Sequence, residues 1–101
     1  MSMKKVPTLH EAIVHPVSQE NPRNGEGAIV PLLDGRLLMG WSRFVGGGMD
    51  HSPADIYGCI SEDGGYTWGK PFLLQENVGQ RNVMCVGFLR LANGDLLLGF
   101  A

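Results

Sequence analysis

Ser61-Glu62-Asp63-Gly64-Gly65-Tyr66-Thr67-Trp68 lies between two short apolar runs, Ile56 to Ile60 and Phe72 to Leu74. A Ser/Asp/Gly cluster between β-prone runs is the signature of a hairpin turn. Asp63 can accept hydrogen bonds from backbone N–H groups a few residues on. The glycines admit the positive φ that a side chain resists. Thr67 is β-branched and opens the return strand, and Trp68 brings a large apolar surface that should be buried close to the turn.

Outward from this turn the chain repeats itself. Gly27 to Leu33 is an apolar run that stops at Asp34-Gly35, a strong two-residue hairpin signal, and Arg36 to Phe44 returns as a second strand. On that strand Leu37, Met39 and Trp41 share one face and Leu38, Gly40 and Ser42 the other. Neither face is clearly polar, which predicts burial on both. Asn93-Gly94 superposes on Asp34-Gly35 at an offset of 59 residues, from Gly35 to Gly94. At that offset Leu32 meets Leu91, Leu37 meets Leu96, Leu38 meets Leu97, Gly40 meets Gly99 and Trp41 meets Phe100. Between the copies lie one strand before the Ser61–Trp68 turn and one after it. A β-patterned period of this size, with four strands to the period, is that of a propeller blade.

The eight-residue stretch also resembles the Asp-box, Ser-x-Asp-x-Gly-x-Thr-Trp, the repeat of sialidase-like β-propellers. Ser61, Asp63, Gly65, Thr67 and Trp68 occupy its defined positions. In that family the box is a structural turn between the third and fourth strands of a blade, away from the active-site face. The resemblance covers roughly residues 20 to 101. It implies an all-β fold: the first blade and part of the second blade of a sialidase-like six-bladed β-propeller built from four-stranded antiparallel sheets. Blade 1 would span about 27–75 and blade 2 would begin over about 83–101. Residues 1–20 form an N-terminal segment. Glu11 to Val17, with its Ala12-Ile13-Val14 centre, reads as one strand, which in many propellers closes the ring. The repeat stops inside a strand pattern, so the expectation is the N-terminal portion of a longer protein, or a unit that needs the remaining blades or copies of itself.

Composition narrows the partners. The chain has 101 residues, a formal charge of −2, 44% hydrophobic residues and fifteen glycines, about twice average usage and suited to many tight turns. That charge predicts no nucleic-acid footprint, and no apolar run is long enough to cross a membrane as a helix. Val6 to Val17 contains His10, Glu11 and His15 and is no signal-peptide core, which points to the cytoplasm. Cys59 and Cys85 sit inside strand-like runs and read as free, buried thiols. His10, His15 and His51 have no metal-ligand spacing, so no metal is expected, and nothing calls for a cofactor.

Candidate chemistry falls in the long connection Arg43 to Asp55, Arg-Phe-Val-Gly-Gly-Gly-Met-Asp-His-Ser-Pro-Ala-Asp, between the second and third strands. In sialidase-like propellers this connection opens on the active-site face, with an arginine just after the second strand and, several residues on, an acidic general acid/base. The resemblance places Arg43 in the first role and, across a small gap, Asp50 in the second; Asp55 is the alternative acid. A guanidinium offers a fork of donors to a carboxylate or to vicinal hydroxyls. A loop carboxyl over a glycosidic oxygen can protonate the leaving group and then activate water. Gly46-Gly47-Gly48 would let such a loop move over substrate. The rival reading is a solvated loop in which Arg43 and Asp50 pair with each other. His51 is a further substrate-contact candidate.

Asn82-Val83-Met84-Cys85-Val86 resembles the Asn-Pro-x-Pro-Val segment of sialidases without its prolines, which would turn Asn82, and Arg81 with it, toward the cleft. The sequence departs from the family at the first strand. Where sialidases carry the carboxylate-clamping arginine of Phe/Tyr-Arg-Ile-Pro, this chain reads Gly25-Glu26-Gly27-Ala28-Ile29-Val30-Pro31, with Glu26 near that place and Arg23 upstream. A glutamate repels a sugar carboxylate, so a neutral sugar, or a uronate held otherwise, becomes the expected carbohydrate. Tyr57 and Tyr66 lie in the third strand and the Asp-box and do not replace the family's tyrosine nucleophile.

The resemblance implies the N-terminal part of a sialidase-like glycoside hydrolase acting on terminal sugars of glycans, expected to be inactive as this portion alone. A non-catalytic Asp-box propeller that binds glycans or protein, and a self-assembling blade unit, remain the alternatives.

Overall fold

The computed structural model describes residues 10–101. The described chain is all-β. A four-stranded antiparallel sheet runs in sequence order, β1 (Arg23–Pro31), β2 (Leu37–Phe44), β3 (Ala54–Ser61) and β4 (Phe72–Gln75), and a separate hairpin follows, β5 (Gly87–Arg90) and β6 (Leu96–Gly99).

The turn after β3 is built around one carboxylate and one hydroxyl. Asp63 Oδ1 accepts from the Thr67 N–H at 2.8 Å and from the Ser61 hydroxyl at 2.9 Å, while Asp63 Oδ2 accepts from the Thr67 hydroxyl. Ser61 Oγ accepts from the Gly65 N–H at 2.8 Å. Gly64 and Gly65 take φ of 75° and 97°, the left-handed region that glycine enters without steric cost. Trp68 Nε1 donates to the Gly65 carbonyl at 3.1 Å, and the Gly69 N–H returns to the Ile60 carbonyl at 2.8 Å. The Trp68 ring is half-buried rather than enclosed, with its N–H spent on the turn it flanks.

The repeat inferred from sequence is present in the hydrogen bonds. In the β1–β2 turn the Leu32 N–H donates to Arg36 O and the Gly35 N–H to Leu32 O. In the β5–β6 turn Leu91 donates to Asp95 O and Gly94 to Leu91 O. Gly35 and Gly94 share φ values of 92° and 94°. The registers coincide as well: Ile29 pairs Met39 as Phe88 pairs Leu98, and Val30 pairs Leu38 as Leu89 pairs Leu97.

Alternation sorts the sheet into two faces. Leu38, Gly40, Ser42 and Phe44 are buried on one, together with their β3 partners Gly58, Ile56 and Ala54. The β5–β6 hairpin lies against this face. A Cβ on Gly40 would come within 3.0 Å of the Phe88 ring and 3.2 Å of Leu74, so the missing side chain is what lets the two layers meet. The other face carries Leu37, Met39, Trp41 and Arg43; of these only Trp41 is buried, so β2 is enclosed on one side and half-covered on the other.

Three expectations change. Glu11 to Val17 forms no strand. This stretch passes from the Asp63 turn, where His10 Nε2 lies 3.1 Å from Tyr66 O, to Trp41, whose ring centroid is 5.4 Å from that of His15. Asn82 to Val86 is irregular rather than a strand; Cys85 adopts φ of 61°, which breaks the ladder although Met84 and Ala101 exchange both backbone hydrogen bonds beyond it. Cys85 is consequently exposed, while Cys59 is buried, both as free thiols. Among the described residues no helix is long and apolar enough to cross a membrane.

Gly58 tests the close layer packing. Its Cβ would lie 2.6 Å from Leu74 Cδ1 and 2.8 Å from the Met39 carbonyl. Gly58→Ala is expected to cost about 1–3 kcal/mol, read as a lower urea midpoint, whereas Gly48→Ala, with open space around the new methyl, should stay within about 0.5 kcal/mol of wild type.

Asp63 gives a second test. Its hydrogen bonds from Thr67, with those from Ser61 and the Tyr66 backbone, hold its carboxyl down to about 2. A carboxyl depressed in the folded state stabilises the protein above its unfolded pKa of about 3.9, and that contribution fades as pH falls through about 2. The side-chain carbon resonance of Asp63 should therefore titrate with a midpoint near 2, well below an unperturbed aspartate, and Thr67→Val should move the midpoint upward.

Candidate functional site

The loop between β2 and β3 emerges at the end of the sheet opposite the Asp63 turn. Leu37 pairs with Ser61 at one end of the β2–β3 ladder and Phe44 with Ala54 at the other. Seven steps of about 3.3 Å separate these pairs, so the two ends lie roughly 23 Å apart.

The loop is closed at its base by the Val45 N–H donating to Pro53 O at 3.0 Å. Its tip is folded by a reciprocal pair: the Met49 N–H donates to Ser52 Oγ and the Ser52 N–H to Met49 O, each at 3.0 Å. Two outside side chains fasten it. Asn82 Nδ2 donates to the carbonyls of Asp50 at 2.7 Å and Ser52 at 3.0 Å. Arg23 donates to the Gly48 carbonyl at 3.2 Å and to Asp50 Oδ1 at 2.6 Å. The Asp50 side chain is 85% exposed and that of Arg23 31%, so the ion pair contributes about 0–1 kcal/mol and serves mainly to fix direction. The Arg23 guanidinium also sits 4.6 Å from the centroid of the buried Phe44 ring, which orients it from below.

Arg23, Asp50 and Asn82 are thus brought together from three separate segments. Arg43 is not among them. It lies on the Trp41 face, its guanidinium 4.0 Å over the Tyr57 ring, beside its cross-strand partner Asp55. Arg43 and Asp50 form no ion pair; the arginine that Asp50 meets is Arg23. Among the described residues the buried Asp55 Oδ1 has no hydrogen-bond partner, and burial pushes the carboxyl above the usual aspartate value, against the opposing pull of the Arg43 charge.

Glu26 is exposed in the β-bulge where β1 gains one residue against β2, between the Asn24–Arg43 and Gly27–Trp41 pairs. His51 is exposed at the loop tip. Arg81 is exposed, and its carbonyl accepts from Asn77 Nδ2 at 2.8 Å. Ser61, Asp63, Gly65, Thr67 and Trp68 all belong to the distant turn. Among the described residues no group of three or more His, Cys, Asp or Glu side chains is placed to hold a metal ion.

Sequence reading missed Asn21. It is buried, donates to the carbonyls of Arg23 at 2.9 Å and Phe44 at 2.8 Å, and through Oδ1 meets His15 Nε2 at 3.0 Å. It locks the start of β1 to the end of β2 and so sets where Arg23 points. An Asn in a polar loop carries no local mark of that role.

No protein-family model matches the chain, and no curated protein matches it.

The Asp55–Arg43 pairing predicts a pH effect of opposite sign to that at Asp63. A carboxyl raised by burial costs stability once ionised, so Asp55's contribution falls as pH rises from its unfolded value, about 3.9, through its higher folded one. Arg43→Gln removes the charge that favours the ionised form. The Asp55 side-chain resonance should then titrate at still higher pH than in the wild-type protein.

Proposed function

We propose that the loop end of this sheet is the saccharide-facing surface of a sialidase-like, Asp-box β-propeller glycoside hydrolase. The observation that carries the reading is the pair of unlike carboxyls at that end. Asp55 is held by burial toward its neutral form, and Asp50 is exposed and engaged by a guanidinium. A carboxyl held toward its neutral form is suited to giving a proton to a glycosidic oxygen. Arg43 and Arg23 add forks of donors suited to vicinal hydroxyls.

On this reading Asp55 takes over the proton-donor role that the loop position gives to Asp50. Asp50, backed by Arg23 and Asn82, becomes a polar contact to the sugar. The exposed Glu26 disfavours a sugar carboxylate at the bulge, so a neutral terminal sugar is the proposed substrate class. The non-catalytic glycan-binding alternative draws support from the same tethered loop, because a loop anchored at Gly48, Asp50 and Ser52 is a pre-formed contact surface.

Titration of the full chain with methyl galactoside and with glucuronic acid, followed by amide resonances, tests recognition. Shifts should cluster at residues 43–55, Arg23 and Asn82 and be larger for the neutral sugar. Shifts confined to Ser61–Trp68, or none, would sink the assignment. In a protein that joins this chain to the remaining blades, Asp55→Asn should lower kcat for an aryl galactoside by about 100-fold or more with KM little changed. Unaltered sugar affinity in that variant, without turnover in the wild type, marks the binder instead.

A further inference from the structure

We infer that the outer edge of β4 pairs antiparallel with the same edge of a second copy of this chain, so that two four-stranded sheets join across a two-fold axis. The inference is independent of the saccharide reading and concerns an edge with chain on both sides of it.

The sheet runs β1-β2-β3-β4, so among the described residues β4 is paired on one side, by β3. An antiparallel strand points alternate N–H and C=O groups away from its partner, and an unpaired row of them is a template for another strand. On the propeller reading β4 is the outermost strand of its blade. Blades meet through their sheet faces, so further blades of the same protein leave this edge at the periphery. The β5–β6 hairpin already behaves in that way. It lies on the Leu38–Gly40 face, with the Phe88 ring over Gly40, and adds no strand to β4.

The charge pattern of the edge selects a second copy as the partner. Lys70-Pro71-Phe72-Leu73-Leu74-Gln75-Glu76 carries a cation at one end and an anion at the other. Turned about a two-fold axis through Leu73, the stretch sets Lys70 opposite Glu76 twice, Phe72 opposite Leu74 twice, and Leu73 opposite itself. Lys70 and Glu76 are exposed, and among the described residues neither belongs to an ion pair. Opposite charges facing each other across an antiparallel pair favour the pairing, and like charges oppose it. A slip of one residue sets Lys70 against Gln75 or Asn77 and loses both charge pairs. Phe72 is 39% exposed and Leu73 51%, so the apolar centre of the edge gains cover as well. Two features keep the pairing short: Pro71 has no N–H to give, and the bulge that interrupts the β3–β4 ladder between Ile56 and Tyr57 bends β4 past Leu73. The two surfaces are identical, so association closes at a dimer. The contact is small, which sets its Kd on the order of 0.1 mM.

Sedimentation of the full chain should show a dimer forming as concentration rises, and a single monomeric species at about 1 mM would overturn the inference. Charge reversal assigns the association to this edge rather than to another apolar surface. Lys70→Glu and Glu76→Lys should each weaken it at least roughly fivefold. An equimolar mixture of the two, and the double variant, should return to within about twofold of wild type, because both restore every opposite-charge pair. Single variants that associate as the wild type does, or a mixture that fails to recover, would count against the edge. A zero-length cross-link gives the register. Within one chain Lys70 and Glu76 stand at opposite ends of β4, roughly 20 Å apart at about 3.3 Å per residue, so an amide formed between them by a carbodiimide must join two copies. That cross-link is expected in the dimer band, and its absence there would overturn the pairing. Amide exchange identifies the remaining occupant, a segment of the same chain. The outward amides of Phe72–Gln75 should exchange freely in the dilute monomer and become protected on association. Protection already present in the monomer would mean that the chain covers its own edge, and the inference would fall.

Discussion

A carboxylate held by hydroxyls and a backbone N–H does most to determine the shape of this chain. Asp63 accepts three hydrogen bonds from Ser61 and Thr67 across a turn that two left-handed glycines make possible. That closure returns the chain within a few residues and sends β4 back along β3. Since Ser61 ends β3 and is itself fully buried, the same hydroxyl that bonds Asp63 also terminates the ladder against β2. Remove the constraint and the fourth strand has no fixed register, which matters because Leu74 on that strand fills the space above Gly40 and Gly58. The layer contact with the second hairpin is then lost at its centre.

The two ends of the sheet show a division of labour that follows from this. At the Asp63 end, polar groups are consumed by the turn's own backbone. At the loop end the backbone closes with few internal bonds, and side chains from elsewhere, Arg23, Asn82 and Asn21, supply the rest. Groups held by distant partners keep their direction while staying partly open to solvent, the condition for meeting a ligand with little ordering cost. Asp50 and Asp55 differ in environment because one is carried beyond the sheet on the loop while the other begins β3, where a strand neighbour rather than water surrounds it.

What the sequence disclosed was local. The Asp34-Gly35, Ser61–Trp68 and Asn93-Gly94 turns and the offset between copies depend on residues close in the chain and stand where the pattern put them, whereas the return strand expected to open at Thr67 begins only at Phe72. Strand alternation even separates Arg43 from Leu38. What it could not disclose were meetings between distant segments. The pairing of Arg23 with Asp50 requires the β1 bulge and the Asn21 lock, neither of which leaves a periodic trace. The expected strands at Glu11–Val17 and Asn82–Val86 failed for a related reason: both have β-prone centres, but the first follows side chains on the sheet surface, and the second is diverted when Asn82 is recruited to the loop and Cys85 turns left-handed.

The same distinction bears on how far a repeat determines assembly. Equivalent sequences give equivalent hairpins here because turn and register are local properties. Burial is not local, and in it the copies differ: Leu38 is covered and Leu97 is not. Apolar side chains retained at an uncovered position of an otherwise matching pattern are selected by a contact or tolerated by chance. Glycine in a strand interior weakens the strand, and at Gly40 that cost is offset because the absent side chain admits the Phe88 ring and joins two layers.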